Sequence, residues 1–507
     1  MKPYLLYSDR DDNTYKSSQT SNELIQDLNL NTIFEVMSQN NSILYDAAKK
    51  VLLNSLTDIK TIKYRQEIVQ DCISNKSAIC SLFEITTNAL DEADFYSQYT
   101  KPNYARIIPV SVRAINSVGL LEILINKLEE LKELSQATGK NFKSPGMTTF
   151  YKRLNYFFTD AFFIDSREHI SKLKTISEGG KMTIGAKLGN GLKGTDYILR
   201  EMSNESQKTG SNKIKHWTHS SNEIILNNTT IERNAREVEE GVLIHILRII
   251  NHFTDNILGF LESLQHEAGF YVGCVNLYDE LSRINSPIAF PVPTSIDTNI
   301  LNFNGLYDLS LSIIEKKKLV VNNLDADGKS LFIITGANQG GKSTFLRSIG
   351  IAQLLMQCGL FVPANHFSSN VCDHIYTHFI RKEDTSMNSG KLDEELSRMA
   401  AIVNNITPNS LFLMNESFST TTERDGSNIA TDIVTALYDL NIKALFVTHL
   451  FEFSNSFYKN NLADAIFLRA ERYNDGDRSF IIKEGQPIQT SYGEDLYNSI
   501  IQETNNV

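Results

Sequence analysis

The residues best suited to chemistry are Gly336-Ala337-Asn338-Gln339-Gly340-Gly341-Lys342-Ser343 and the Thr344 that follows. Glycines at 336, 340 and 341 let successive backbone N–H groups turn inward around phosphate oxygens. Lys342 is then placed to reach the β- and γ-phosphates of a nucleotide, and Ser343 to hold Mg²⁺. A helix starting at this point adds the positive potential of its N-terminus. The octet follows the apolar run LFIIT (331–335) and opens the amphipathic stretch STFLRSIGIAQLLM (343–356). A chance glycine-rich turn has no reason to sit between a buried strand and a helix. Phosphate binding is the reading.

Two more segments carry polar residues at the end of an apolar run. LFLMNES (411–417) puts Asn415 and Glu416 at a strand's carboxyl end, where an open sheet keeps its ligand crevice. A carboxylate there can polarise an attacking water, which is the role given to Glu416. Asn415 stands where a metal-orienting aspartate is usual and lacks its charge; with Ser343 and Glu416 it completes the candidate Mg²⁺ set. KALFVTHL (443–450) carries His449 near its carboxyl end, within reach of a γ-phosphate whose presence it could report.

These segments need a frame that brings three strand ends together. The runs at 331–335, 411–415, 443–448 and 465–470 alternate with helical patterns, which predicts a largely parallel sheet with covering helices. Upstream, residues 20–300 read as mostly helical. In 119–135, Leu120, Leu121, Leu124, Leu128, Leu131 and Leu134 make one stripe, and 231–268 continues such a pattern beyond an ordinary helix length, as a lever or a helical pair. The stretch 183–228, rich in Gly, Ser and Asn, reads as a loop or irregular insertion at a helix tip. SPIAFPVPT (286–294) reads as an inter-domain linker, and the Phe95-Tyr96 pair in DEADFYSQYT (91–100) as core. The expected division is 1–300 helical and 301–507 α/β.

Composition narrows the class. The 507 residues are too many for one core, and 41% hydrophobic with 21% charged is ordinary for a soluble protein. No run of about 18 apolar residues suggests a membrane span, and the first residues do not read as a signal peptide. Five cysteines without a CxxC pair suit reduced thiols, so a cytoplasmic location is expected. A net charge of −11 argues against a chain coated in nucleic acid but leaves room for a local basic groove.

Together the motifs resemble the ATPase domain of the MutS family of mismatch-repair proteins. ITGANQGGKSTFLRSIGIAQLLMQCGLFVPA (334–364) is similar to that family's phosphate loop and helix, and LFLMNESFSTTTERDGSNIA (411–430) to its catalytic strand and dimer-contact loop. VTHLFEF (447–453) resembles its switch strand and EGQPIQTSYGEDL (484–496) its closing turn. Upstream, 56–71 and 266–291 resemble the start of its helical core and the helix returning to the ATPase. The resemblance implies an ABC-type P-loop ATPase preceded by a helical core, lever and clamp. ATP would be cradled by Gly336, Asn338, Gly340, Gly341, Lys342, Ser343 and Thr344, with Glu416 and His449 catalytic. It also implies a homodimer formed through the ATPase domain, double-stranded or branched DNA as partner, and other repair proteins alongside.

Where the chain departs from the family, expectations change. With the helical region beginning near residues 20–50, the mismatch-reading domain is not expected ahead of it, and a nuclease-type extension is not expected after residue 507. The helix that the family presents to the partner's γ-phosphate corresponds to MNSGKLDEELSRM (387–399), with Ser389 as N-cap and Leu392, Leu396, Met399 and Val403 as buried face. Ser389 and Gly390 would donate to phosphate in trans, although Leu392 stands where a serine is expected. At the clamp tip, Lys208, Lys213, Lys215 and Trp217 could meet phosphates and a sugar or base face. The function expected is an ATPase-driven DNA clamp used in mismatch repair or recombination. The alternative is a nucleotide-gated binder of branched DNA or structured RNA that hydrolyses little. A transporter or chromosome-type ATPase fits less well, since 388–392 read NSGKL rather than LSGGQ.

Overall fold

A computed structural model describes residues 1–9, 19–100, 108–177, 181–188, 194–203, 229–381, 390–472 and 478–488. The chain forms two compact units. One comprises Met1–Pro3, Ser77–Lys143 and Met147–Ala268, and the other Tyr4–Lys76, Ser144–Gly146 and Gly269–Val507. The expected single boundary near residue 300 differs from this division, because Tyr4–Lys76 packs with the sheet-containing region.

The first unit is helical. Val110–Thr138 packs along Asp160–Ser177, and the leucine stripe lies inside, with Leu124, Leu128 and Leu131 fully buried. Lys132 is also buried on this face, where its ammonium pairs with Asp160 and lies over the Phe163 ring. The lever pattern is a single helix, Thr229–Ile284, rather than a pair. Two expectations are corrected here. Phe95 is 62% exposed, because Ala89 and Ala93 occupy the inward face of its helix. The start of the supposed irregular insertion is an antiparallel hairpin, Lys181–Leu188 with Gly194–Ser203. Its first strand alternates Met182, Ile184, Ala186 and Leu188 with polar residues and glycine, a period-two signal set among turn residues. Lys208, Lys213, Lys215 and Trp217 lie outside the described residues.

The second unit is built on a six-stranded sheet. Its order is Arg478–Glu484, Ala465–Arg472, Leu331–Thr335, Lys443–Val447, Leu411–Asn415, Ile375–Phe379. All neighbours pair parallel except the first two. Strands 331–335, 411–415 and 443–447 are buried at every position, as expected for a parallel sheet covered on both faces. A second sheet orders Val292–Thr294, His366–Asn370, Leu301–Leu306, Asn322–Asp325. The proline-rich stretch read as a linker therefore contributes a short strand, its prolines tolerated at the sheet edge.

The N-terminal helices hold the far end of the helix Lys342–Gln357. Gln357 donates from Nε2 to the Leu56 carbonyl at 2.9 Å, and the buried Arg65 donates from Nε to the Leu6 carbonyl at 2.8 Å. The Arg65 guanidinium also lies 4.7 Å from the centre of the Tyr7 ring. At Gly359 the chain turns with φ +81°, and a Cβ there would stand 2.4 Å from Arg65 Cβ. Gly359→Ala should therefore destabilise this unit by about 3 kcal/mol, summing a left-handed backbone and overpacking. An unchanged urea midpoint for the variant would contradict that packing.

Candidate phosphate-binding site

The loop between Leu331–Thr335 and Lys342–Gln357 takes its shape from residues without, or with awkward, side chains. Gly336 and Gly341 have φ of +115° and +90°, and Gln339 occupies the left-handed region at φ 59°. A Cβ at Gly340 would lie 2.8 Å from Ala470 Cβ and 3.0 Å from the Ala337 carbonyl oxygen. The glycines expected to shape a phosphate cradle are thus sterically required. Asn338 and Gln339 are exposed at the loop's tip.

Lys342 is the first residue of the helix and is only 4% exposed. Its ammonium donates to the carbonyls of Gly336 and Ala337, each at 2.8 Å, and lies 3.3 Å from His449 Nε2. Burial lowers its pKa to about 8, and the Glu416 carboxylate opposes that shift. His449 Nε2 is also 3.2 Å from Glu416 Oε1. One ring nitrogen either accepts from the ammonium or donates to the carboxylate, so the imidazole bridges a cation and an anion in one tautomer or the other. The His449 hydrogen bond holds the Glu416 carboxyl below the usual carboxylate range, against the effect of burial. An ionised Glu416 is thereby favoured.

Ser343 donates from Oγ to Asn415 Oδ1 at 2.8 Å. Glu416 follows with φ 55°, and its N–H donates to the Val447 carbonyl at 2.8 Å. A non-glycine residue in that region costs of order 1–2 kcal/mol and is held only where neighbours enforce it. The loop-shaping glycines, Lys342, Ser343, Asn415, Glu416 and His449 thus converge at one end of the sheet, as the sequence predicts.

Beside them opens a cavity of about 470 Å³, lined by Gly341, Lys342, Ser343, Thr344 and Glu416 on one side. Tyr307, Leu311, Leu319, Val320, Phe345 and Phe480 supply apolar wall. Apart from Phe345, which follows the glycine-rich octet, these wall residues escaped the sequence reading, since they come from segments with no motif of their own. So did Asp308, which caps the helix Leu309–Glu315 through Leu311 N–H and receives Arg347 Nε at 2.6 Å. Burial pushes the Asp308 carboxyl up, with Arg347 opposing. This pair, buried on its carboxylate side, ties the cavity wall to the helix Lys342–Gln357. Its only local signal is an acid before a short apolar run.

The helix expected over 387–399 runs Lys391–Val403, with Gly390 as its N-cap and no side-chain cap. Its buried face is Glu395, Met399 and Ile402, whereas Leu396 and Val403 are 38% and 50% exposed. The predicted stripe is thus corrected. Glu395 turns inward because two donors from the loop after Glu416 receive its carboxylate. Gly390 is exposed and does not line the cavity; Ser389 lies outside the described residues.

A divalent cation could be held here by hard oxygen donors. The Ser343 hydroxyl, the Asn415 amide oxygen and the Glu416 carboxylate fit Mg²⁺ in kind. Among the described residues no cluster of three or more His, Cys, Asp or Glu could hold a metal ion without help, so phosphate oxygens would have to supply part of the shell.

Two protein-family models match the chain: the MutS2 N-terminal domain over residues 57–284 and MutS domain V over residues 332–498. Among relatives, the DNA mismatch repair protein MutS of Caldicellulosiruptor saccharolyticus is 24% identical over 88% of this chain and 55% of its own. MutS of Prochlorococcus marinus is 33% identical over 33% of this chain and 18% of its own. MutS protein homolog 4 of Mus musculus is 28% identical over 44% of this chain and 23% of its own. The chain spans about half the length, or less, of these curated relatives. Two domain matches in sequence order, the second covering the loop and strand ends described above, lead to one conclusion: this chain belongs to the MutS family.

Proposed function

We propose that this protein is an ATP-dependent DNA-binding protein of the MutS type, in which ATP hydrolysis changes the grip of helical arms on DNA. The observation that carries the reading is the meeting of Lys342, Ser343, Asn415, Glu416 and His449 beside a cavity with apolar walls. A cavity for inorganic phosphate alone would need no such walls; a nucleoside triphosphate uses both parts. Gly336, Asn338, Gly340, Gly341 and Thr344 cradle phosphates through backbone and hydroxyl groups. Lys342 neutralises the β- and γ-oxygens, and its position at a helix N-terminus adds to that field. Glu416, held ionised, orients and polarises the attacking water. His449 sits beside both and changes partner when the γ-phosphate arrives or leaves. Bound Mg²⁺ would neutralise charge on the phosphates, held from the protein side by Ser343, Asn415 and Glu416.

The rest of the proposal follows the family. Two chains pair through their ATPase regions, with Ser389 and Gly390 completing the partner's site, and double-stranded or branched DNA lies against the helical region. Mismatch repair or recombination in the cytoplasm, alongside other repair proteins, is the setting. No helix among the described residues is long and apolar enough to cross a membrane.

One observation favours a second reading: Asn415 keeps the hydrogen bond to Ser343 but brings no charge to the metal side. A nucleotide-gated binder with little hydrolysis would tolerate that. Steady-state phosphate release with and without DNA separates the two.

Three outcomes are expected. Lys342→Ala should weaken ATP binding about a hundredfold, while Glu416→Ala should bind ATP normally and turn over about a hundredfold slower. Wild-type phosphate release in either variant would overturn the assignment. Asn415→Asp should lower the Mg²⁺ concentration for half-maximal ATP binding by about tenfold, and an unchanged titration would remove Asn415 from the metal set. The third follows from Lys342. Its pKa of about 8 should rise when phosphate covers it, so binding takes up a proton above that pH and affinity falls as pH rises through it. Calorimetry at about pH 8.5 in buffers of different ionisation enthalpy should show the uptake; identical binding enthalpies would contradict it.

A further inference from the structure

We infer that Glu395 is a positioning residue for Glu416, acting through the loop that follows it; this rests on the hydrolytic reading above. Glu395 lies on the helix Lys391–Val403 and is 5% exposed. Its two carboxylate oxygens accept separately, Oε1 from the Phe418 N–H at 3.0 Å and Oε2 from the Thr420 hydroxyl at 2.6 Å. Glu416 and Phe418 both have positive φ, 55° and 66°. Such a kink in residues bearing side chains persists only if both of its ends are held. The Val447 carbonyl holds the start through Glu416 N–H, and the Glu395 carboxylate holds the end.

A second link runs beside the first. The buried His378 lies 2.7 Å through Nδ1 from Ser417 Oγ and 3.2 Å through Nε2 from the Glu395 carbonyl oxygen. Burial lowers its pKa to about 4, so the ring is neutral. With Nε2–H donating to the carbonyl, Nδ1 is left as an acceptor for the Ser417 hydroxyl, which also reaches the His378 carbonyl oxygen at 3.0 Å. The side chain and the backbone of Glu395 thus both lead to residues 417–420.

Packing alone does not account for a carboxylate at this position. Leu396 is the next residue and stays exposed, while Met399, Ile402 and Phe418 share the core beneath the helix. A turn that buried Leu396 would serve hydrophobic packing better. What the observed orientation supplies is a charged acceptor for the one loop whose conformation sets the direction of Glu416.

The test measures ATP turnover against ATP concentration for the wild type, Glu395→Ala, Glu395→Gln and Thr420→Val. Removing the carboxylate lets Glu416 drift, and misplacement on the ångström scale costs about tenfold to a hundredfold in rate. Glu395→Ala should therefore lose at least about tenfold in kcat while KM for ATP stays within about twofold, because the phosphate loop is untouched. Glu395→Gln keeps one acceptor and should recover part of the loss. Thr420→Val removes one bond in a folded protein and should fall between them. Wild-type kcat in Glu395→Ala overturns the inference; should that variant fail to fold, wild-type kcat in Thr420→Val does. A loss expressed only in KM, or equal losses in Ala and Gln, overturns it as well. If the wild type itself releases no phosphate while binding ATP, the hydrolytic reading fails, and the inference with it.

Discussion

The register of three parallel strands is the constraint from which the site follows. Val447 stands opposite Ile334 on one side and Asn415 on the other. The chain leaves all three strands at the same level, and the last ladder bonds, Thr448 N–H to Ile334 and Glu416 N–H to Val447, reach past the strand ends. Lys342, Ser343, Asn415, Glu416 and His449 are all placed by that edge. A one-residue slip would turn every side chain of a strand to the opposite face and carry the polar residue at its end out of line with its neighbours. The same edge explains how a buried ammonium is tolerated. Lys342 donates to two carbonyls, and the His449 imidazole and the Glu416 carboxylate stand close by.

Strained backbone also occurs where this edge meets the loops. Gln339, Glu416 and Phe418 all carry side chains in the left-handed region, and all lie beside the phosphate loop or the carboxylate strand. Glu416 is held by the last ladder bond to the Val447 carbonyl and Phe418 by the Glu395 carboxylate. Gly426 is part of that arrangement, since a Cβ there would come within 2.5 Å of the Phe418 carbonyl oxygen. Such conformations suit a site whose parts must be aimed rather than merely packed.

Rigidity also comes from behind the site. The helix that begins at Lys342 ends among buried polar groups. Gln353 and Gln357 share a hydrogen bond and serve the Asn370 and Cys372 carbonyls, while Gln357 and Arg65 fasten residues 356–359 to the N-terminal helices. Buried amides are costly unless every donor is used, and here they are used to join segments some three hundred residues apart in sequence. The phosphate loop therefore stands on a helix braced at its far end.

By itself, the sequence determined the parts of this protein whose signals are local. The octet 336–343, the strand ends at 415–416 and 448–449, the parallel alternation and the leucine stripe at 120–131 are contiguous patterns, and each is found where its residue types require. The family match rests on the same local segments. Only the tertiary structure decided what depends on distant partners. Tyr4–Lys76 belongs with the sheet region because Arg65 and Leu56 meet the 356–359 turn. The proline stretch at 292–294 becomes a strand because His366–Asn370 offers an edge. Glu395 faces inward and Leu396 outward because two donors wait in another loop, which no helical period can reveal. The cavity wall from Tyr307 to Val320 and Phe480 likewise exists only as a surface assembled from separate segments. Hydrophobic period and glycine placement act over a few residues, whereas the satisfaction of a buried polar group depends on whatever the fold brings to it.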